Sequence, residues 1–166
     1  MGKSLSLRAM SLGDVDQVVE LYAQVYSADY ISFSELAAGL ADAPGAISAE
    51  AMDIFQDDLI EILTESPAGN FVALSKGEIV GFVMASLEEA PAGHMECWIN
   101  DMGVSPSYQG QSLGKQLVEA IVDWGKRNKV KYFLLESGFS NKKSHNFFEG
   151  LGFKPMATVF HLDARS

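Results

Sequence analysis

The sequence holds one cysteine, Cys97, so no disulfide can form within the chain. Stability must come from a packed core, and a lone thiol among apolar neighbours reads as a small buried hydrophobe suited to a reducing compartment. Histidine is as sparse: His94, His145 and His161 lie far apart, with no H-E-x-x-H or C-x-x-C nearby, so no metal is expected. Long apolar runs are missing too, as is a charged-then-apolar leader, which points to a cytoplasmic protein with no membrane partner. The start MGKSLS fits the loose pattern M-G-x-x-x-[ST] for myristoylation, but SLSLRAM alternates like a first strand and the match reads as coincidence. Positive charge is short: 12 Lys and Arg stand against 22 Asp and Glu, a net charge of −10. Such a chain repels polyanions, which excludes nucleic acid as an expected partner.

What is present suffices for one well-filled core. The 166 residues are 48% hydrophobic, without repeat or linker, and read as a single domain over 1–166. Alternation predicts strands at 4–9, 71–75, 79–87, 94–104, 131–136 and 155–162, the second and third joined as a hairpin through Lys76 and Gly77. Helical spacing predicts helices from Ser11 or Asp14 to Tyr26, over 34–40, from Ala49 to Thr64, over 112–128 and from Lys142 to Gly150, with a Pro-Gly break at 44–45. The expected class is α/β in the α+β sense, a mixed, mostly antiparallel twisted sheet of about six to seven strands flanked by helices.

The stretch VSPSYQGQSLGKQL at 104–117 carries the most information. A strand enters a Tyr-Gln-Gly turn that opens straight into an amphipathic helix. The first amides of such a helix lack internal partners and converge on one point, where the helix dipole adds positive charge, so phosphate binds well. Two nucleotide-binding patterns fail here. A Walker A loop needs G-x-x-x-x-G-K-[ST], yet Gly110 and Gly114 are one residue too close and Gln116 stands where Ser or Thr belongs. A G-x-G-x-x-G fingerprint after the first strand is absent.

The segment resembles instead the acyl-CoA site of the GNAT superfamily of N-acyltransferases, whose pattern is V-x-P-x-[YF]-[RQ]-x-x-[GA]-x-[GA]-x-x-L. Val104, Pro106, Tyr108, Gln109, Gly114 and Leu117 match it, with Ser112 replacing the first small residue. A second family pattern, N-x-x-A-x-x-F-Y-E-x-x-G-F, is met by Asn141, Ser144, Phe147, Phe148, Glu149, Gly152 and Phe153, and the hairpin GEIVGFV at 77–83 is a third, weaker match. The resemblance implies a GNAT fold and acetyl-CoA as co-substrate, its pyrophosphate cradled by the backbone amides of Gln109, Gly110, Gln111, Ser112, Leu113, Gly114 and Lys115. It further implies a bulge near Gly103, the amide of Met102 polarising the thioester, Val104 pairing with the pantetheine arm, and Asn141, Ser144 and Phe148 facing that arm. Asn141 reads equally as a helix N-cap.

The catalytic half departs from the family. Amide formation needs a neutral amine, and an alkylamine with a pKa of ~10.4 is neutral to only about one part in a thousand at pH 7. Many family members place Glu four residues before the valine; here that position is Asn100, which cannot take a proton. Strict alternation puts Glu96, Trp98, Asn100 and Met102 on one face and Asp101 on the other unless a bulge turns it. Glu96 acting through water is therefore the expected base, with Asp101 and Glu136 behind it. The tyrosine that often protonates the leaving thiolate is Phe148 here, so Ser144 or His145 is the expected substitute. The resemblance also implies an acceptor pocket capped by the first helical region, with Tyr22, Tyr26, Tyr30, Phe33, Glu35 and Trp98 as its expected lining, although Tyr22 and Tyr26, four residues apart, read by default as core.

The charge is unevenly spread. Residues 1–100 carry sixteen Asp and Glu against three Lys and Arg, and residues 101–166 carry six against nine. A phosphate turn on the basic side and a field of the opposite sign before it point to a cationic small-molecule amine as acceptor. The expected activity is acetyl transfer to a primary amine by direct attack in a ternary complex, in a protein that can form a homodimer. The rival readings are a non-catalytic acyl-CoA-binding or regulatory domain, and an acetyltransferase acting on a protein N-terminus or lysine.

Overall fold

The computed structural model describes residues 5–165, so the start of the chain, with Ser4 of the predicted first strand and the myristoylation-like pattern, lies outside the described residues. Strand β1 (Leu5–Ala9) leads through a single 3-10 turn into helix α1 (Val15–Val25), and α2 (Phe33–Ala38) follows. A small hairpin, β2 (Ala41–Ala43) and β3 (Ala46–Ile47), turns at the Pro-Gly break and precedes α3 (Ala51–Glu65). Then come β4 (Asn70–Ser75), β5 (Glu78–Glu89), β6 (Met95–Val104), α4 (Leu113–Arg127), β7 (Tyr132–Leu135) and α5 (Lys142–Gly150).

The main sheet has the order β1-β4-β5-β6-β7, antiparallel except for the parallel β6–β7 pair, and β2–β3 forms a separate sheet. Helices α1 and α3 cover one face, where Val18, Tyr22, Phe55, Leu59, Phe82 and Met84 pack together. Helix α4 covers the other over Val83, Ala85, Cys97, Ile99, Leu113, Leu117 and Ile121, with Phe148 of α5 beside them. Burial on both faces explains why β5 reads IVGFVMA without alternation. Gly81 lets α4 approach closely, since a β-carbon there would lie 3.1 Å from Leu117 Cδ1. At the entry to α1, Asp14 caps its own 3-10 turn and receives two bonds from Arg8, at 2.7 and 2.8 Å.

One predicted strand is not formed. Residues 153–162 carry no regular structure, and Met156, Phe160 and Leu162 are each more than four-fifths exposed. The apolar alternation that suggested a strand is present, but among the described residues no neighbouring strand meets it.

A candidate acyl-transfer site at the bulge of strand six

Strand β6 changes face in mid-course. Its register against β5 runs from Ala85↔Ile99 to Met84↔Asp101, so Asn100 is an extra residue. Before it, Cys97 and Ile99 point toward α4; after it, Met102 and Val104 do. Trp98, Asn100 and Asp101 consequently line one cleft on the opposite side. This corrects two sequence expectations. The bulge falls at Asn100 rather than Gly103, and it removes Met102 from the face of Trp98 while adding Asp101. Gly103 matters for packing instead, because a β-carbon there would come within 2.5 Å of Phe82 Cε1.

The cleft, of about 160 Å³, lies between α2, α3 and the bulge, and four carboxylates line it: Glu35, Asp58, Asp101 and Glu136. Among the described residues no Lys or Arg lines it. Burial first, then the charges of Glu35 and Asp58, push the Asp101 carboxyl up to about 8, against a hydrogen bond from Tyr30 that lowers it. Glu35 is itself buried and holds the start of α2 through Ser32, accepting from its amide at 2.6 Å and its hydroxyl at 2.5 Å. Glu136 accepts from the amide and hydroxyl of Ser34. Sequence reading ranked Asp101 low and passed over Asp58; only the bulge and the packing of α3 over it bring the two together.

Tyr30 sits where β6 and β7 part. The two strands pair only from Glu96↔Tyr132 to Ile99↔Leu135. Past that point the turn at 28–31 enters the gap, so close to Gly138 that a β-carbon there would meet the carbonyl oxygens of Asp29 at 2.3 Å and Ile31 at 2.7 Å. The Tyr30 hydroxyl accepts from the Met102 amide at 3.3 Å and lies 3.4 Å from Asp101 Oδ1 and 3.3 Å from the Met102 carbonyl. These are long bonds for a hydroxyl, as suits a group able to exchange partners. Burial holds its proton on well above the ordinary tyrosine range.

The other expected residues are dispersed around this centre. Glu96 is tied to His94 at 3.0 Å and lies within reach of the Trp98 ring nitrogen. It stands five residues from Asp101, about 16 Å along an extended strand, and outside the cleft lining. Asn100 donates to Ser86 Oγ at 3.2 Å. Tyr26 is 8% exposed, stacked on Tyr22, and donates to the Leu40 carbonyl, so it belongs to the core. Phe33 is 56% exposed beside the cleft lining residue Ser34.

On the far side of β6, the turn after the strand leaves a run of backbone amides facing no backbone acceptor among the described residues. Gly110 and Ser112 both adopt positive φ, 75° and 63°, and Ser112 caps α4 without a side-chain bond. Among the described residues no backbone acceptor meets the amides of Gly110, Gln111, Ser112, Leu113, Gly114 or Lys115. Six donors at the start of a fifteen-residue helix fit a diphosphate. Gly114 serves packing as well, since its β-carbon would press on Met102 Cε and the Phe147 ring. Lys115 pairs with Glu119 at 3.7 Å, whereas Lys143 of α5 donates to the Gln109 side chain and brings its charge to the turn. Lys143 was missed by the sequence reading because only the docking of α5 sets it there. Gln109 also donates to the Val104 carbonyl.

On α5, Asn141 caps the helix by accepting from the Ser144 amide at 3.1 Å. His145 Nε2 lies 3.0 Å from the Gly138 carbonyl. Phe148 packs edge-on against Phe147 and Phe153. Among the described residues no helix is long and apolar enough to cross a membrane, and no group of three or more His, Cys, Asp or Glu could hold a metal ion.

Comparison with known proteins bears on the family and the fold. Residues 33–153 match the model of the acetyltransferase (GNAT) family. The chain is 28% identical over 109 residues to N-acetyltransferase family 8 member 2 of Rattus norvegicus, covering 63% of this chain and 48% of the rat protein. It is 26% identical over 81 residues to N-alpha-acetyltransferase 30 of Saccharomyces cerevisiae, covering 49% of this chain and 46% of the yeast protein. The matched region thus spans about half the length of these two relatives. In fold it resembles an aminoglycoside N-acetyltransferase solved in complex with CoA, with a TM-score of 0.70 at 18% identity over 100% of this chain and 98% of the other.

Proposed function

The chain belongs to the GNAT acetyltransferase family, and from that premise we propose that it transfers the acetyl group of acetyl-CoA to a primary amine on a cationic small molecule. Acetyl-CoA is the co-substrate of this family, and the free amides of 110–115 with Lys143 are the groups that would hold its pyrophosphate. The observation that carries the acceptor reading is the cleft itself, whose four carboxylates, unopposed by any lining cation, suit an ammonium group.

Asp101 is then the base. An arriving ammonium favours the carboxylate form of Asp101, because an opposite charge nearby stabilises the ion. The carboxylate accepts a proton from the ammonium and leaves the amine nitrogen with a lone pair facing the thioester. The Met102 amide and the Tyr30 hydroxyl are donors for the oxygen that becomes negative during attack, once the hydroxyl gives up its own bond to that amide. Carbon–nitrogen bond formation is followed by loss of the thiolate, which is a tolerable leaving group at a thiol pKa of about 8.5. Ser144 and His145 are the candidates to return a proton to it, since Phe148 has none to give.

The test is thiol release from acetyl-CoA over a panel of polyamine, aminoglycoside, amino-acid and peptide amines, with the product identified by mass. Turnover with cationic small amines, lowered by about 10²- to 10⁴-fold in Asp101→Asn, is the expected result. Acetyl-CoA binding without thiol release for any amine would replace this reading with a binding or regulatory domain. A product found only on polypeptides would move the acceptor to a protein.

A further inference from the structure

Past Ile99↔Leu135 strands β6 and β7 no longer pair, and a gap opens between them. The turn at 28–31 enters that gap from the side of the acidic cleft, where the Tyr30 hydroxyl meets Asp101 and Met102. Ser137 stands on the other bank, two residues past the last paired residue, Leu135. The direction of its side chain follows from its neighbours. Leu135 packs with Met102 and Phe148 in the cluster under α4, whereas Glu136 turns the opposite way into the cleft. Alternation along extended backbone returns Ser137 to the side of Leu135, away from the cleft and toward α5.

The polar groups around Ser137 are paired. Glu136 accepts from the amide and hydroxyl of Ser34. The Gly138 carbonyl accepts from the Asn141 amide at 2.9 Å and lies 3.0 Å from His145 Nε2, and Asn141 accepts from the Ser144 amide. The Ser137 hydroxyl is different: its oxygen is shut off from solvent and, among the described residues, has no hydrogen-bond partner. Leaving a buried hydroxyl unsatisfied costs stability that alanine would not cost, so a serine here has a use outside the fold itself.

Acetyl-CoA as co-substrate supplies that use, and the inference rests on that reading. The thioester oxygen is met by the Met102 amide and Tyr30, and the amine arrives from the cleft. The arm that carries the sulfur comes from the other side, from the free amides of 110–115. A donor to the sulfur therefore has to stand on the α4–α5 side of the gap. We propose that the Ser137 hydroxyl is this donor, hydrogen-bonding the thioester sulfur and stabilising the negative charge that gathers there as the acetyl group leaves. The carbon–sulfur bond breaks and its electron pair goes to sulfur. Ser137 keeps its proton and shares it in the hydrogen bond, because an alcohol is too weak an acid to protonate a thiolate. The gain comes from a fixed dipole aimed at the developing charge.

The test is the titration of the thiol in bound CoA, followed by thiolate ultraviolet absorbance, in the wild type, Ser137→Ala and Ser137→Thr. It needs no acceptor, so it reads even where no amine is turned over. A hydrogen bond to the charged form favours that form. Its removal in Ser137→Ala should move the titration up by about one pH unit or more, a tenfold change of the scale of one charge-assisted bond. Threonine keeps the hydroxyl and should restore most of the wild-type value. With a turned-over amine, kcat should fall by about tenfold in Ser137→Ala with KM for acetyl-CoA little changed. The melting temperature of the ligand-free variant should hold or rise, since the hydroxyl has no partner there to lose. Equal thiol titrations in wild type and Ser137→Ala, with calorimetry showing CoA bound by both, overturn the proposal and leave acetyl-CoA as co-substrate. A lower melting temperature in Ser137→Ala also overturns it, by giving the hydroxyl a partner within the fold. A wild type that binds no CoA removes the co-substrate reading, and this inference with it.

Discussion

At the scale of single residues, Asp101 is where the opposing effects can be read most directly. Its neighbours at the cleft are acids, so deprotonation is resisted, and its carboxyl stands at about 8. On the proposed mechanism kcat/KM rises as pH approaches 8 from below, and Asp101→Asn lowers it by about 10²- to 10⁴-fold and removes that rise. Stability carries the matching signature. The folded pKa lies above the unfolded value of ~3.9, so the folded state binds the extra proton between those two pH values. Stability from this group is complete below the lower value and is lost as pH rises through about 8. Thermal melts of Asp101→Asn against the wild type should therefore show the variant gaining at pH 9 relative to pH 5; equal differences at both would remove the shifted carboxyl. Tyr30→Phe tests the partner. Its hydrogen bond lowers the Asp101 pKa, so the variant should move the acid limb to higher pH and cut kcat more than KM. From sequence Asp101 stood behind Glu96 as base and Tyr30 was only an acceptor-lining residue, because the contact between positions 30 and 101 exists only after α1 and the following turn dock on β6.

Among the elements, the turn into α4 and the turn into α1 show opposite ways of finishing a helix. Helix α4 leaves its first amides free, whereas the turn before α1 satisfies its own through Ser11 and Asp14. Gly110 is the clean probe of the first. It has positive φ with open space around it, and Asp tolerates that conformation, so Gly110→Asp adds a negative charge without a clash. Calorimetric titration should show acetyl-CoA affinity falling at least about tenfold, the scale of one lost charge-assisted contact, with an unchanged melting temperature. Gly114→Glu would confuse the two effects, since its side chain would strike Met102 and Phe147. For the second turn, Arg8 first and the Ser11 bonds after it hold the Asp14 carboxyl down at about 2, against burial. A depressed carboxylate supports the fold above its unfolded pKa and ceases to as pH falls through about 2. Asp14→Asn should cost about 1.5–3 kcal/mol at pH 7, as loss of hydrogen bonds to a charged group does, and less at pH 3. Urea melts at the two values measure it. Every helix and the strands of the main sheet were legible within a few residues, because α1, α3 and α4 each bury one stripe. The small β2–β3 hairpin was seen only as a Pro-Gly break, being too short to alternate.

For the whole molecule, the distribution of charge decides behaviour. The acids of the first hundred residues supply Glu35 and Asp58 of the cleft, and the basic remainder supplies Lys143 at the anion turn. Long-range attraction of a cationic acceptor weakens as salt shortens the Debye length, from about 30 Å at 0.01 M to about 8 Å at 0.15 M. Values of kcat/KM for a polycationic amine should fall over that range while those for a neutral-bodied monoamine change little. An equal response of both would leave the acidic field a solubility feature alone.

Local pattern settled a good deal by itself. The 3.6- and 2-residue periods assigned the elements, and the Gly-Gln turn before an amphipathic stripe marked the helix start proposed here to hold an anion, while Asn at 100 and Phe at 148 leave the proposed chemistry to other groups. These depend on neighbours in the chain, which a sequence displays. What the tertiary structure decided are matters of phase and proximity. One extra residue in β6 reverses every side chain beyond it, and no local signal separates a bulge at Asn100 from one at Gly103. The meeting of Tyr30, Glu35, Asp58 and Asp101 depends on three elements closing over that bulge. The strand-like segment at 155–162 shows the same limit from the other side, since alternation declares that residues are fit to pair and says nothing about which edge, or whose, they meet.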